Sequence, residues 1–152
     1  MERQTIHLVQ IGLDGEPAEA GLALPNAAKE VCATTAPLYR SVGFEPPWTG
    51  YFVLSQGVVT GTCAFTAPPR DGRVEIAYFT FPEFEGQGLA TSMARALIGI
   101  ARAAQPRIKI TAQTLPMPNA SNTILQQLGF RYSGTIDHPE DGKVWEWHLP
   151  AG

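Results

Sequence analysis

The residues best suited to chemistry lie between Val74 and Thr91. There Val74-Glu75-Ile76-Ala77-Tyr78-Phe79-Thr80-Phe81 runs through Pro82-Glu83-Phe84-Glu85-Gly86-Gln87-Gly88 into Leu89-Ala90-Thr91. A β-rich run passes through a glycine turn into an apolar, alanine-filled segment of helical spacing. Helix starts present unpaired N–H groups and a partial positive charge, so they receive phosphate groups well. Glycines at 86 and 88 would let the backbone approach a pyrophosphate closely, although a Gly-x-Gly pair also serves as a plain turn. Two other phosphate motifs are excluded. A dinucleotide fingerprint wants a third glycine where Thr91 stands and an acidic residue ending the next strand, and Arg107–Leu115 contains none. The Gly-Lys-Ser/Thr of a P-loop is absent.

Metal chemistry has little to build on. The cysteines are Cys32 and Cys63 and the histidines His7, His138 and His148, none at metal-ligand spacing. The two thiols read as reduced and packed.

The elements that must carry the turn are legible on either side of it. Residues 1–13 include an alternating apolar stretch that predicts an opening strand. Asn26 to Tyr39 predicts a helix interrupted at Pro37. Tyr51–Ser55, Val58–Thr66 and Val74–Phe81 predict three consecutive antiparallel strands, separated by turns at Gln56-Gly57 and around Pro68–Gly72. Leu89, Met93, Leu97 and Ile100 line one face of a helix that Pro106 ends. A strand over Arg107–Leu115 precedes a short helix that closes at Leu128, with Gly129-Phe130 as a left-handed cap folding Phe130 onto Leu125. Two last strands span Phe130–Ile136 and Lys143–Leu149. The class is α+β.

Two blocks of the sequence resemble the GNAT acetyltransferases. These carry Gln/Arg-x-x-Gly-x-Gly/Ala between their fourth strand and third helix, where this chain has Glu83-Phe84-Glu85-Gly86-Gln87-Gly88. Glu83 in place of Gln/Arg is a departure, and the block is similar to the Rim-type protein acetyltransferases. The second block, Thr114 to Phe130, resembles the family's fifth strand and the helix beside the pantetheine arm. The resemblance implies the GNAT (acyl-CoA N-acyltransferase) fold, a mostly antiparallel mixed sheet of about six or seven strands flanked by helices. It covers Val74–Phe130 best and is not visible in the first 50 residues. It implies one domain over 1–152, with 1–50 on the acceptor side and 51–149 as the acetyl-CoA-binding core.

The same resemblance implies an N-acetyltransferase with acetyl-CoA as co-substrate and an amine of a small molecule or peptide N-terminus as acceptor. A non-catalytic coenzyme A-binding module of the same fold is the alternative. Backbone amides around Tyr78, Phe79 and Thr80 would face the thioester. Glu85, Gly86, Gln87 and Gly88, with Leu89, Ala90 and Thr91, would hold the pyrophosphate, and Asn119 the pantetheine amides. Glu75 matches the position of a general base, or is a salt-bridged strand residue. Many relatives place a tyrosine acid where Leu125 stands, so Ser121 is the expected substitute, with Tyr132 in reserve. Asn119 and Ser121 also suit helix capping. Tyr39, Phe44, Trp48 and Tyr51 could line an acceptor pocket or pack in the core.

Composition narrows the partners. A hydrophobic fraction of 44% and a charged fraction of 16% suit a compact soluble domain. A formal charge of −3 without a basic run argues against nucleic acid. No apolar run is long enough for a membrane span, and no signal peptide is visible, so the expectation is a cytoplasmic protein without metal and with a possible homodimer.

Overall fold

In a computed structural model, residues 5–117 and 119–150 are described. Pro118, within the expected approach to the short helix, and the first four residues of the expected opening strand lie outside them. Seven strands form one sheet in the order β1-β2-β3-β4-β5-β7-β6. They are β1 (His7–Gln10), β2 (Gly50–Ser55), β3 (Val58–Phe65), β4 (Arg73–Thr80), β5 (Lys109–Thr114), β6 (Arg131–His138) and β7 (Gly142–Leu149). The helices are α1 (Asn26–Val42), α2 (Leu89–Ala104) and α3 (Ala120–Gln127). Every neighbouring pair is antiparallel except β4–β5, which is parallel. This is an α+β arrangement on a mostly antiparallel mixed sheet of seven strands, as the resemblance implies.

Strand alternation sends successive side chains to opposite faces. Val53, Cys63, Phe65, Val74 and Ile76 turn toward α2, where Leu89, Met93, Ala94, Leu97 and Ala101 supply the facing apolar stripe. Leu125 of α3, Phe130, Ile110, Ala112 and Trp147 continue the same core. On the other face, Val9, Ile11, Phe52 and Leu54 pack with Ala28 of α1. α2 ends where expected: Gln105, just before Pro106, is extended, as the pre-proline residue prefers.

One helix differs from its expected form. α1 does not break at Pro37 but runs on to Val42. Proline removes the hydrogen bond to the carbonyl four residues back and crowds that carbonyl, here on exposed Ala33, where it can turn toward water. Beyond the proline, buried Tyr39 ties the helix to the sheet. Its hydroxyl donates to the Ile11 carbonyl at 2.8 Å and accepts from the Gly50 N–H at 3.0 Å. Tertiary packing outweighs local propensity there.

Candidate active site

The β4–β5 pairing is short. It joins Arg73, Val74 and Glu75 to Lys109, Ile110 and Thr111, and stops. On its other side β4 stays paired with β3 through Thr80. From Ile76 to Thr80 the β5-facing edge of β4 therefore has no strand partner, and a V-shaped gap opens beyond Glu75.

A cavity of about 490 Å³ occupies that gap on the α2–α3 side. Tyr78, Phe79 and Thr80 form one wall, and Phe84, Glu85, Gly86 and Gly88 close one end. Leu89, Ala90 and Thr91 bring the first turn of α2, while Ala120, Ser121 and Ile124 bring α3. Sequence segments some thirty residues apart thus meet across the gap. The Thr80 Oγ1 is buried there without a hydrogen-bond partner. Gln87 is exposed and does not line the cavity.

The turn is built for close approach. Gly86 and Gly88 have φ of +81° and +77°, a region that costs other L-residues strain, and no heavy atom lies within 4 Å of where a Cβ would stand. Gly88 is the N-cap of α2, so the unpaired N–H groups of the first turn begin at the end of the cavity that the glycine turn lines. The donors, the left-handed glycines and the open space fit a pyrophosphate.

α3 starts with a side-chain cap. The Asn119 Oδ1 accepts from the Asn122 N–H at 3.0 Å, and Asn119 is not among the cavity's lining residues. Its oxygen serves the helix. The helix ends as expected, with Phe130 N–H donating to the Leu125 carbonyl at 2.9 Å, Gly129 N–H to that of Gln126 at 3.1 Å, and Gly129 at φ +94°. Leu125 is fully buried and belongs to the core. Ser121, a turn earlier, lines the same cavity as the Tyr78 phenol. Burial pushes that phenol up to about 12, and Ser121 works in the opposite direction.

Glu75 sits at the apex of the V, on the opposite face. It alternates with core residues Val74 and Ile76 and lines a second cavity of about 550 Å³ on the α1 side, with Ser41, Glu45, Thr111 and Glu146. Burial first, and then the charge of Glu146, raise its carboxyl above the usual range; His138 acts in the other direction. Arg73 pairs with Glu146 at 3.4 Å. Glu75 and Ser121 therefore flank the gap from its two sides rather than sharing one cavity.

Other expected residues fall elsewhere. Tyr39, Trp48 and Tyr51 are buried core residues, and Phe44 packs edge-on against Tyr39. Tyr132 is exposed, stacks edge-on against Trp145 and Trp147, and hydrogen-bonds Thr135. It does not line the gap cavity. Several side chains lining the two cavities carry no expectation from the sequence. Glu146 reaches Glu75 from β7, with no local signal in the sequence, and Tyr78 was read for its backbone alone. Ile124 could have been found, standing three residues from Ser121 on the same helix face. Among the described residues no group of three or more His, Cys, Asp or Glu could hold a metal ion, and no helix is long and apolar enough to cross a membrane.

Comparison with known proteins agrees with this geometry. Residues 18–131 match the acetyltransferase (GNAT) domain family. RimL, a ribosomal alpha-N-protein acetyltransferase, superposes with a TM-score of 0.68 at 21% identity over 97% of this chain and 94% of its own. In complex with coenzyme A it superposes at 0.62 and 19% identity, over 81% and 72%. A GNAT-family acetyltransferase from Bordetella pertussis gives 0.66 at 16% identity over 98% of each chain. One from Bacillus anthracis gives 0.59 at 17%, over 67% of this chain and 66% of that one. At such identities the superpositions establish the fold alone. No curated protein sequence matches. With three quarters of its length inside the family match, this chain belongs to the GNAT acetyltransferases.

Proposed function

We propose that the protein is an acetyl-CoA-dependent N-acetyltransferase acting on a primary amine of a small molecule or a peptide N-terminus. The observation that carries the reading is the unpaired edge of β4 between Ile76 and Thr80, with the glycine turn at its end and Ser121 across the gap. N–H groups of the Gly86–Ala90 turn would hold the pyrophosphate, and the open β4 edge would hold the pantetheine and thioester. When bound, acetyl-CoA supplies an acetyl group activated as a thioester.

The chain's own residues then have separate tasks. Glu75, with a carboxyl raised by burial, takes the proton of the incoming ammonium on the α1 side. A β4 N–H near Tyr78–Thr80 donates to the oxygen on which negative charge develops. Ser121 offers its hydroxyl to the departing sulfur from the α3 side. Glu45 and Glu146, in the Glu75 cavity, favour a cationic acceptor. RimL, as a protein α-amine acetyltransferase, supports including peptide N-termini among the acceptors. Leu125, buried where relatives carry an acid, favours a second reading, coenzyme A binding without turnover.

Two measurements test this. Acetyl-CoA should raise the melting temperature by mass action on the folded state. Thiol release should then be screened with N-terminal peptides, amino acids, amino sugars and polyamines. Stabilisation with release on an amine is the expected result. Stabilisation with every amine inert would favour the binding module, and no stabilisation at millimolar acetyl-CoA would overturn both.

A further inference from the structure

We infer that Phe79 is a specificity-determining residue for the acceptor: its ring selects amines with an apolar group on the carbon next to the nitrogen, as in a peptide whose first side chain is apolar. This deepens the acceptor class proposed above and rests on acetyl transfer at the gap with Glu75 as base.

Side chains along β4 alternate between the two faces of the sheet. Val74 and Ile76 turn into the core under α2, so Glu75, Ala77 and Phe79 share the opposite face, on the α1 side. The ring contacts agree: Phe79 meets Phe81, a fully buried member of the α1-side core, edge-on at 5.9 Å. At about 3.3 Å per residue, Glu75 and Phe79 stand roughly 13 Å apart, with Ala77 midway. Ala77 and Phe79 belong to the stretch of β4 without a partner on its β5 side, the edge that would hold the thioester. On the β3 side their paired neighbours are Ala64 and Thr62, both short. A low floor of Ala77, Ala64 and Thr62 results, with the base at one end and an aromatic ring at the other.

Single apolar side chains on a surface are ordinary. Phe79 differs by its place. It is 53% exposed on the open edge of the strand that carries Glu75, and it also borders the gap cavity. An amine reaching a thioester at this edge from the α1 side has its nitrogen over Ala77, toward Glu75. A substituent on the adjacent carbon then falls against Phe79, and the loss of water from both apolar surfaces favours binding. The hydroxyls of an amino sugar would lose hydration there without a hydrogen-bond partner from the ring.

Tripeptide amides that differ only in a first residue of glycine or leucine test this. The readout is the leucine-to-glycine ratio of kcat/KM, in which any effect of a variant on the thioester cancels. Wild type should favour the leucine peptide by roughly 10-fold, the scale of a few apolar carbons on a binding surface. Phe79→Ala should bring the ratio close to one, and Phe79→Leu should keep most of it. Phe79→Gln, polar and of similar length, should act like the alanine variant and carries the test if that one folds poorly. A wild-type ratio close to one would overturn the inference. So would a preference that survives Phe79→Ala and Phe79→Gln, the result expected of a ring that serves only as a surface contact. The parent reading fails differently: neither these peptides nor any other amine would release thiol from acetyl-CoA.

Discussion

Glu75 is half-buried beside Glu146 at the last paired position of β4, and both features hold its proton on longer than in water. A base so placed gains strength toward the amine's proton. Glu75→Gln should lower kcat at neutral pH by ~10²–10⁴-fold, the range of general-base catalysis. The loss should shrink as pH rises and the amine arrives already deprotonated. Stability carries a second signature. Because the folded-state pKa is raised, the folded form binds the proton more tightly than the unfolded one. Wild-type stability is therefore complete below the unfolded pKa of about 4 and declines as pH rises through the folded value. Melting curves should show Glu75→Gln gaining on wild type across that window and no further above it. A constant difference at every pH would remove the raised carboxyl from the account. The residue's place on a strand was legible in the sequence, whereas its environment was not. Glu146 approaches from β7, more than seventy residues on, and only the sheet order brings the two together.

At the scale of elements, the glycine turn separates backbone strain from ligand approach. Gly88→Ala and Gly88→Glu both place a Cβ at φ +77°, where space is open but the conformation costs about 1–2 kcal/mol. Both variants should lose similar thermal stability. Only Gly88→Glu should also lose the acetyl-CoA-dependent melting shift, since its carboxylate would meet the pyrophosphate. Equal ligand responses in the two variants would argue against a phosphate site at this turn. α3 offers a companion test: Asn119→Ala should cost about 1 kcal/mol through the lost N-cap, with kcat in the folded fraction unchanged. The elements legible in advance were those with strong local signals. Leu89, Met93 and Leu97 at helical spacing foretold α2, and Gly129-Phe130 foretold the end of α3. α1 was misjudged at Pro37, because the Tyr39 hydroxyl's anchoring to Ile11 and Gly50 is a contact between segments distant in sequence.

Across the whole molecule the sheet is two smaller sheets, β1–β4 and β5-β7-β6, sewn together by three residue pairs. The apolar core beneath is continuous: Val74 and Ile76 from one half meet Ile110, Ala112 and Trp147 from the other under α2 and α3. In hydrogen exchange, the amides of Ile76–Thr80 that face the gap should exchange faster than those bonded to β3. Acetyl-CoA should slow them together with the amides of residues 86–91. Protection confined to either segment would separate the turn from the gap. Neither the gap nor its depth was visible in sequence, since a strand reads the same whether or not its second neighbour stays beside it.

The three-pair seam also bears on how such a protein changes its appetite. Beyond Glu75 no strand pairing joins β4 to β5, and side chains of the shared core lie beneath the seam. Val74 and Ile110, paired in the seam and buried, act as a fulcrum. A methylene gained or lost there would tilt one half-sheet against the other and alter the length of acyl chain the gap admits, with every residue that lines it left in place.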